Sequence, residues 1–531
     1  MRDERKLLYF LLVYGCLLLL SIWQLSLVES TEGRYGEIAR EMLASGNFLE
    51  PRFNGIFHFH KPPLPYWAMA SGMAIFGVND FGVRFFGAVA AVVALYFFYR
   101  SAQLIFDDHR RAFSAMLVLA SSLLFMGISR LVSTDIYLTS CVMGAHFFLF
   151  SQVYGERSRR NAAGYGLLLG LGFMVKGPVI FLFTLLPQLA AKFVDQRHRR
   201  LFNGGDVLAG AGCFLAVALP WYICVIIKHP DLLAYFTITQ TVDRVATDQF
   251  HRNKPFWFFP ALFIGTFLPY SIPLVRGICR YREWSPRFRA QFLYLLLPMV
   301  VFCLSKSKLP PYIVPFYGVA AMMTVYVYQE FKSLWDDRVA FWFLLLLAAG
   351  FGVIGFVSPQ LRPISQPLAF FGTACLLAVL PLWRLIDTEK MLPAVAGLLI
   401  AIGTVAYLLL PLQHHRMEAY REMVAKLNQL DPERQLPTVA YETFLPSVSF
   451  YRQRLAIMVK ARARETYFET DTAFKQWYFK SDEGLNEALS GYPRLFVITE
   501  PKYLPEFSEV TGFTCSEVSA GKKNKAYECR R

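Results

Sequence analysis

Apolar runs of bilayer length recur almost from end to end of this chain, and no other feature restricts its fold as strongly. A run of roughly twenty apolar residues crosses the hydrocarbon core as a helix, and lipid tolerates only helices or closed barrels as spanning forms. About thirteen such runs can be placed, at 7–28, 82–105, 112–129, 136–153, 162–175, 178–194, 206–227, 256–275, 290–305, 311–329, 339–357, 367–386 and 392–412. The first is too long for the apolar core of a signal peptide and lacks a small-residue cleavage site, so it is expected to stay as a span. Only 18% of residues are charged and 55% are hydrophobic, where a soluble chain carries about a quarter charged residues. The expected class is an α-helical polytopic membrane protein.

A net charge of +15 would suit a nucleic-acid binder if the basic residues formed a patch. They lie instead in short loops between the runs: Arg2, Arg5 and Lys6; Arg110 and Arg111; Arg157, Arg159 and Arg160; Lys192, Arg197, Arg199 and Arg200; the stretch from Arg276 to Arg289; Lys332 and Arg338; Arg384 and Lys390. Threading thirteen spans puts all of these on one side, which the positive-inside rule makes the cytoplasm. Nucleic acid is therefore not an expected partner.

The other side gathers the chemistry. It receives residues 29–67, then Arg130 and Asp135 in SRLVSTDIY and Lys176 in MVKGP. The 228–255 loop follows, with Asp243, Arg244, Asp248, His251 and Arg252, and then Lys306 and Lys308 in SKSKLPPY. Ionisable residues at the ends of apolar runs are costly unless they face a cavity or a partner. Snorkelling side chains explain one or two such residues, not five loops on one side.

Residues 29–67 open with Glu29 and Glu32. Tyr35, Ile38, Ala39, Met42 and Leu43 then recur at helical spacing, with Arg34, Glu37, Arg40 and Glu41 on the other face and Gly46 past the end. This predicts an amphipathic helix lying on the membrane surface, apolar side down. His58, His60 and Lys61 follow, beside the stiff Pro62, Pro63 and Pro65.

Beyond residue 412 the composition turns polar. HHRMEAYREMVAKLNQL reads as a helix, and PTVAYE, RLFVITE and the 512–529 segment read as short strands. The expected organisation is a membrane domain at 1–412, with its first extracytoplasmic loop at 29–81, and a soluble α/β domain at 413–531. Cys515 and Cys529 lie in that polar domain, where they could pair if it is extracytoplasmic. There is no CxxC, Walker loop, Rossmann glycine fingerprint or DxD motif, so a nucleotide-sugar domain has no support.

An enzyme whose polar groups face outside the cytoplasm meets neither ATP nor nucleotide sugars, and its activated donor would be lipid-linked through phosphate. Arg34, Lys61, Lys176, Lys306 and Lys308 suit such a phosphate, since fixed cations stabilise the charge on a phosphate leaving group. A nearby carboxylate, Glu32, Glu29 or Asp135, would orient or deprotonate the acceptor.

TEGRYGEIAREMLASGNF, FNG, HKPPLPYW, FGVNDFGVRFFGA, MVKGP, DRVATDQFHRNKPFW and SKSKLPPYIVP, in that order, resemble the lipid-linked sugar transferases of the GT-C superfamily. The likeness is to the bacterial 4-amino-4-deoxy-L-arabinose transferase branch, itself similar to protein O-mannosyltransferases. It spans residues 7–330, with the remainder alike in architecture. The resemblance implies a GT-C fold with periplasmic surface helices and a periplasmic C-terminal domain in the bacterial inner membrane. It also implies an undecaprenyl-phosphate-linked sugar donor, an active cavity at the periplasmic face and lipid A or another envelope glycan as acceptor. Its phosphate-binding arginine and lysine fall on Arg34 and Lys61. The polar residues of its later loops fall on Asp135, Lys176, Lys306 and Lys308.

Two positions depart from that pattern. The branch has Asp-Glu where this chain has Thr31-Glu32, so Glu32 keeps the second acid and Glu29 stands in for the first. The branch also places a Glu, paired with a later-loop histidine around a metal, where this chain has His60; the pair here would be His60 and His251, ligands that suit zinc. Two other readings compete: a protein O-mannosyltransferase-like enzyme acting on protein, and a transporter of polyprenyl-linked sugars. The chain has no inverted-repeat signal and no broken, charged mid-span helices of the kind transporters show.

Overall fold

The computed structural model describes residues 2–23, 25–199, 202–243, 253–358, 361–409, 420–461 and 474–531. Among these, nine helices are long and apolar enough to cross a membrane. They fall on nine of the thirteen expected runs. The other four are helical but interrupted or more charged. The 112–129 run divides at Ser122 into His109–Ser121 and Leu123–Ile128. The 178–194 run divides at Thr184 into Val179–Phe183 and Leu185–Ala191. The 256–275 run becomes Phe258–Thr266 and Ser271–Ile278, parted near Pro269, which has no N–H to continue the helical ladder. Helix Arg159–Lys176 is continuous but carries Arg159, Arg160 and Lys176 within its 18 residues.

The chain divides into two compact units. The first comprises Met1–Leu18, Ala88–Arg130 and Thr134–Tyr407. Its helices approach closely where glycines remove side chains, as lipid-embedded helices do for want of a hydrophobic driving force. A Cβ on Gly166 would lie 1.9 Å from the Gly210 carbonyl oxygen, so only glycine permits the contact between Arg159–Lys176 and Gly204–Lys228. Helices Leu334–Val357 and Ser365–Val379 meet the same way, at Gly352 and Gly372.

The second unit comprises Leu19–Gly87, Leu131–Ser133 and Leu408–Arg531. Its sheet has six strands: β3 (Thr438–Tyr441), β4 (Ile457–Val459), β5 (Tyr478–Phe479), β6 (Arg494–Thr499), β7 (Thr514–Ala520) and β8 (Lys525–Arg530), in the order β5-β4-β3-β6-β8-β7. Strands β5, β4, β3 and β6 run parallel, and β8 and β7 close the edge antiparallel. Alternation decides the two faces. Leu495 and Val497 join Val439, Tyr441, Leu485 and Phe507 in one core. Phe496 and Ile498 join Met423, Val424, Leu427 and Val448 in the other. The expected strands at 437–442, 494–500 and 512–529 are present; β4 and β5 are too short to announce themselves. Cys515 and Cys529 are direct cross-strand partners on β7 and β8 and form a disulfide.

Residues 29–81, the expected first extracytoplasmic loop, pack into this same unit. Helix Thr31–Ser45 ends, as expected, at Gly46, whose φ of 69° is the left-handed conformation glycine adopts without strain. The helix is not the one-sided surface helix that its periodicity predicts. Glu37 and Arg40 are buried along with Ile38, Ala39 and Met42, because its charged face lies on protein rather than solvent: Gly33 and Gly36 abut Ser447 and Phe450. The internal Glu37–Arg40 ion pair, 2.7 Å, makes that burial tolerable. After the helix, β1 (Arg52–Phe53) and β2 (Ile56–Phe57) form a hairpin around Asn54-Gly55. Both turn residues have positive φ, 50° and 84°, the requirement of the tight two-residue turn that Asn-Gly favours. Helix Leu64–Phe76 completes the loop.

Candidate active site

Four of the basic residues singled out in the first loop come together in the second unit. Arg34 arrives on helix Thr31–Ser45, and His58, His60 and Lys61 arrive on the segment that leaves the hairpin. The His58 and His60 rings stack 4.3 Å apart and nearly parallel. Arg34, His58 and Lys61 are each less than a tenth exposed. Burial first, then the neighbouring His60, Arg34 and Lys61, push the His58 imidazole well below its ordinary value. Arg34 and Lys61 thus bring two cations next to this imidazole, the kind of setting an anion requires.

The carboxylates nearby are committed to structure. Both oxygens of buried Glu32 are engaged: Oε2 accepts from the Val28 amide (2.9 Å) and Arg84 Nη2 (3.0 Å), and Oε1 accepts from the Val132 amide (2.6 Å) and Arg84 Nε (3.4 Å). Arg84 also donates to the carbonyls of Leu25 and Ser26. Glu29 accepts from the Ser447 amide at 2.9 Å. Asp80 accepts from the Leu27 amide, the Tyr451 hydroxyl (2.6 Å) and Arg421 (3.1 Å). Glu41 accepts from the amides of Asn54 and Gly55. Burial and the neighbouring Glu37 push its carboxyl up to about 8. Thr31, where the branch has its first acid, is exposed.

The first unit holds a separate group. Asp135, in the first turn of helix Thr134–Tyr154, pairs with Lys176 at 2.5 Å, and both side chains are less than a tenth exposed. The Lys176 ammonium also lies 4.3 Å from the centre of the Tyr312 ring, a favourable cation–π position. Three separated motifs (STDIY, MVKGP and SKSKLPPY) thus converge on one cluster. Lys306 is exposed, and Lys308 donates to the Ser305 carbonyl of its own loop. Arg130, fully buried, donates to the Met126 carbonyl (2.9 Å) and Thr404 (3.2 Å) and lies over the Tyr407 ring.

His251 lies outside the described residues. Among the described residues, no group of three or more His, Cys, Asp and Glu side chains is placed to hold a metal ion.

The sequence reading overlooked Arg84, Asp80, Asn54, Tyr312 and Tyr451. For Arg84 a signal existed: an arginine in the opening turns of a 27-residue apolar helix needs a partner. The others depend on contacts across hundreds of residues.

With the geometry in hand, comparison with known proteins places the architecture. The chain superposes on the crystal structure of ArnT from Cupriavidus metallidurans bound to undecaprenyl phosphate. The TM-score is 0.82 at 19% identity, covering 98% of this chain and 97% of that one. The chain has the GT-C fold. The apo state of the same protein agrees, with a TM-score of 0.81. Within the GT-C fold, residues 60–224 match the family described as dolichyl-phosphate-mannose-protein mannosyltransferase. Curated relatives are named undecaprenyl phosphate-alpha-4-amino-4-deoxy-L-arabinose arabinosyl transferase. One from Pseudomonas fluorescens is 31% identical over 57% of this chain and 53% of its own length. One from Edwardsiella ictaluri is 32% identical over 56% and 55%. The chain spans about half the length of the curated relatives it matches.

Proposed function

We propose that this chain is an integral-membrane glycosyltransferase that takes a sugar from a polyprenyl-phosphate carrier and passes it to lipid A or another envelope glycan. The observation that carries the reading is the convergence of two buried cations, Arg34 and Lys61, with the stacked rings of buried His58 and half-buried His60. The relatives' names supply the donor, undecaprenyl phosphate carrying 4-amino-4-deoxy-L-arabinose. The acceptor oxygen attacks the anomeric carbon while the bond to the phosphate oxygen breaks, with inversion. The carrier phosphate leaves with the bonding electrons, and Arg34 and Lys61 stabilise the charge it gains. A carboxylate takes the acceptor's proton when the acceptor is a hydroxyl and orients it when the acceptor is an ionised phosphate, and Asp135 is our candidate for that part. Lys176 and Tyr312 fix the carboxylate for that role. Glu32 and Glu29 act as positioning residues, since both are tied to backbone amides.

In this reading the enzyme sits in the bacterial inner membrane with its N-terminus in the cytoplasm and its site at the periplasmic face. The Cys515–Cys529 disulfide supports that placement, because such bonds persist in oxidising compartments. A zinc ion held by His60 and His251 is a separate proposal, for which imidazole donors are suitable; about one equivalent of zinc in the purified protein, lost in His251→Ala, is the expected result, and metal-free protein ends it. The protein-acceptor reading draws on the mannosyltransferase family match. Mass spectrometry of lipid A and of envelope proteins, from cells with and without the gene, separates the two. A sugar mass lost from lipid A is expected; a hexose lost from protein with lipid A unchanged would overturn the proposal.

A further inference from the structure

The cationic group is assembled from two elements, and both are fastened to one short stretch of the C-terminal domain. Helix Pro446–Arg452 is the common support. On one side it carries helix Thr31–Ser45, and with it Arg34. A Cβ on Gly33 would lie 2.6 Å from the Ser447 amide nitrogen, so the two helices are in direct backbone contact. The Ser447 amide donates to Glu29, and the Tyr451 hydroxyl accepts from the Leu27 amide (2.7 Å) and donates to Asp80 (2.6 Å). On the other side the same stretch carries the hairpin that leads into His58, His60 and Lys61. The Asn54 side chain, fully buried, donates to the Ala456 carbonyl (2.8 Å) and accepts from the Ala456 amide (2.9 Å) and the Ser449 hydroxyl (3.1 Å). The Phe444 ring packs edge-on against Phe53, 5.6 Å between centres. His58 itself extends the hairpin through its amide bond to the Pro51 carbonyl, 2.8 Å.

We infer that residues 444–456 of the C-terminal domain are the template that sets the spacing between Arg34 and the His58–Lys61 segment, with Asn54 and Tyr451 as positioning residues for the donor phosphate. The inference rests on the reading that this group holds the phosphate. Neither positioning residue is cationic; Asn54 lies in the hairpin turn itself, and Tyr451 holds Leu27, in the segment that leads into helix Thr31–Ser45. Misplacement of a binding group by about 1 Å costs up to a hundredfold, so loosening either element should register on the phosphate.

Two variants of the full-length protein in detergent test this. Asn54→Gly keeps the positive φ, which glycine adopts freely, and removes the side-chain bonds to Ala456 and Ser449. Tyr451→Phe removes one hydroxyl. Undecaprenyl phosphate is the binding probe, and donor kinetics provide the second measurement. Each variant is expected to bind the probe about tenfold more weakly and to raise the donor KM similarly, with kcat at saturating donor nearly retained. A merely structural role would lower the melting temperature and leave the folded fraction's affinity unchanged; wild-type affinity in folded Asn54→Gly and Tyr451→Phe overturns the inference. Should Asn54→Gly fail to fold, Tyr451→Phe decides alone. Wild-type protein that does not bind the probe overturns the phosphate reading itself, and the template role with it.

Discussion

A guanidinium and an ammonium beside two stacked imidazoles form an anion site only if removing either cation weakens the anion's hold. A charge-assisted contact to phosphate contributes about 1.5–3 kcal/mol. Arg34→Ala and Lys61→Ala should therefore each lose roughly ten- to a hundredfold in affinity for the polyprenyl-phosphate donor, measured as binding by purified protein. Donor affinity at the wild-type level in both would make these residues interfacial anchors. The carboxylates divide by their partners. Glu32 faces Arg84 in a buried ion pair with backbone amides around it, and breaking one side of such a pair costs about 3–5 kcal/mol. Glu32→Gln should thus lower the melting temperature along with activity. Asp135→Asn should abolish transfer and, because it leaves the buried Lys176 ammonium without its carboxylate, lower the melting temperature as well, while donor binding by the folded protein changes little. A stable, fully active Glu32→Gln would remove the positioning role assigned here.

At the scale of elements, the first loop shows where periodicity stops being informative. The helix over Thr31–Ser45 and its stop at Gly46 are legible from spacing and from one glycine. Its environment is not, because a charged helical face reads identically whether water or another domain covers it. Arg84 announces its need for a partner by its place in an apolar helix, but not which one, and Asp80's partners Tyr451 and Arg421 lie hundreds of residues along the chain. The buried polar face has a measurable consequence. Glu41, half-buried beside Glu37, has its carboxyl raised to about 8, whereas an unfolded chain would titrate it near 4.3. Between those values the folded state binds more protons than the unfolded one. The stability Glu41 contributes is therefore complete below about pH 4.3 and is lost as pH rises through about 8. Thermal melts across that interval should show a falling component that Glu41→Gln flattens. An unchanged pH slope in that variant would mean that the carboxyl titrates normally.

For the molecule as a whole, the membrane-domain pattern was almost fully legible, because apolar length and loop charge are properties of composition. The three runs that the structure divides escaped because a hydropathy pattern is blind to a local break such as the one at Ser122. Which side each loop occupies follows from charge alone and leads to one decisive measurement. The expected odd number of spans, with the basic loops in the cytoplasm, would place the C-terminal domain outside it. Lys480 is an exposed residue of that domain, and Arg199 is an exposed residue of a basic loop. A membrane-impermeant maleimide applied to spheroplasts should label Lys480→Cys at once and Arg199→Cys only after permeabilisation. Wild-type protein gives the background, since both cysteines of the C-terminal domain are tied in the Cys515–Cys529 disulfide. Labelling of Lys480→Cys only after permeabilisation would put the domain in a reducing compartment, where that disulfide should not persist. It would also move Arg34, Lys61 and the proposed phosphate site to the cytoplasmic face, because they share a compact unit with the domain. A lipid-linked donor would then have no advantage over a nucleotide sugar, and the physical case for this chemistry would fall with the topology.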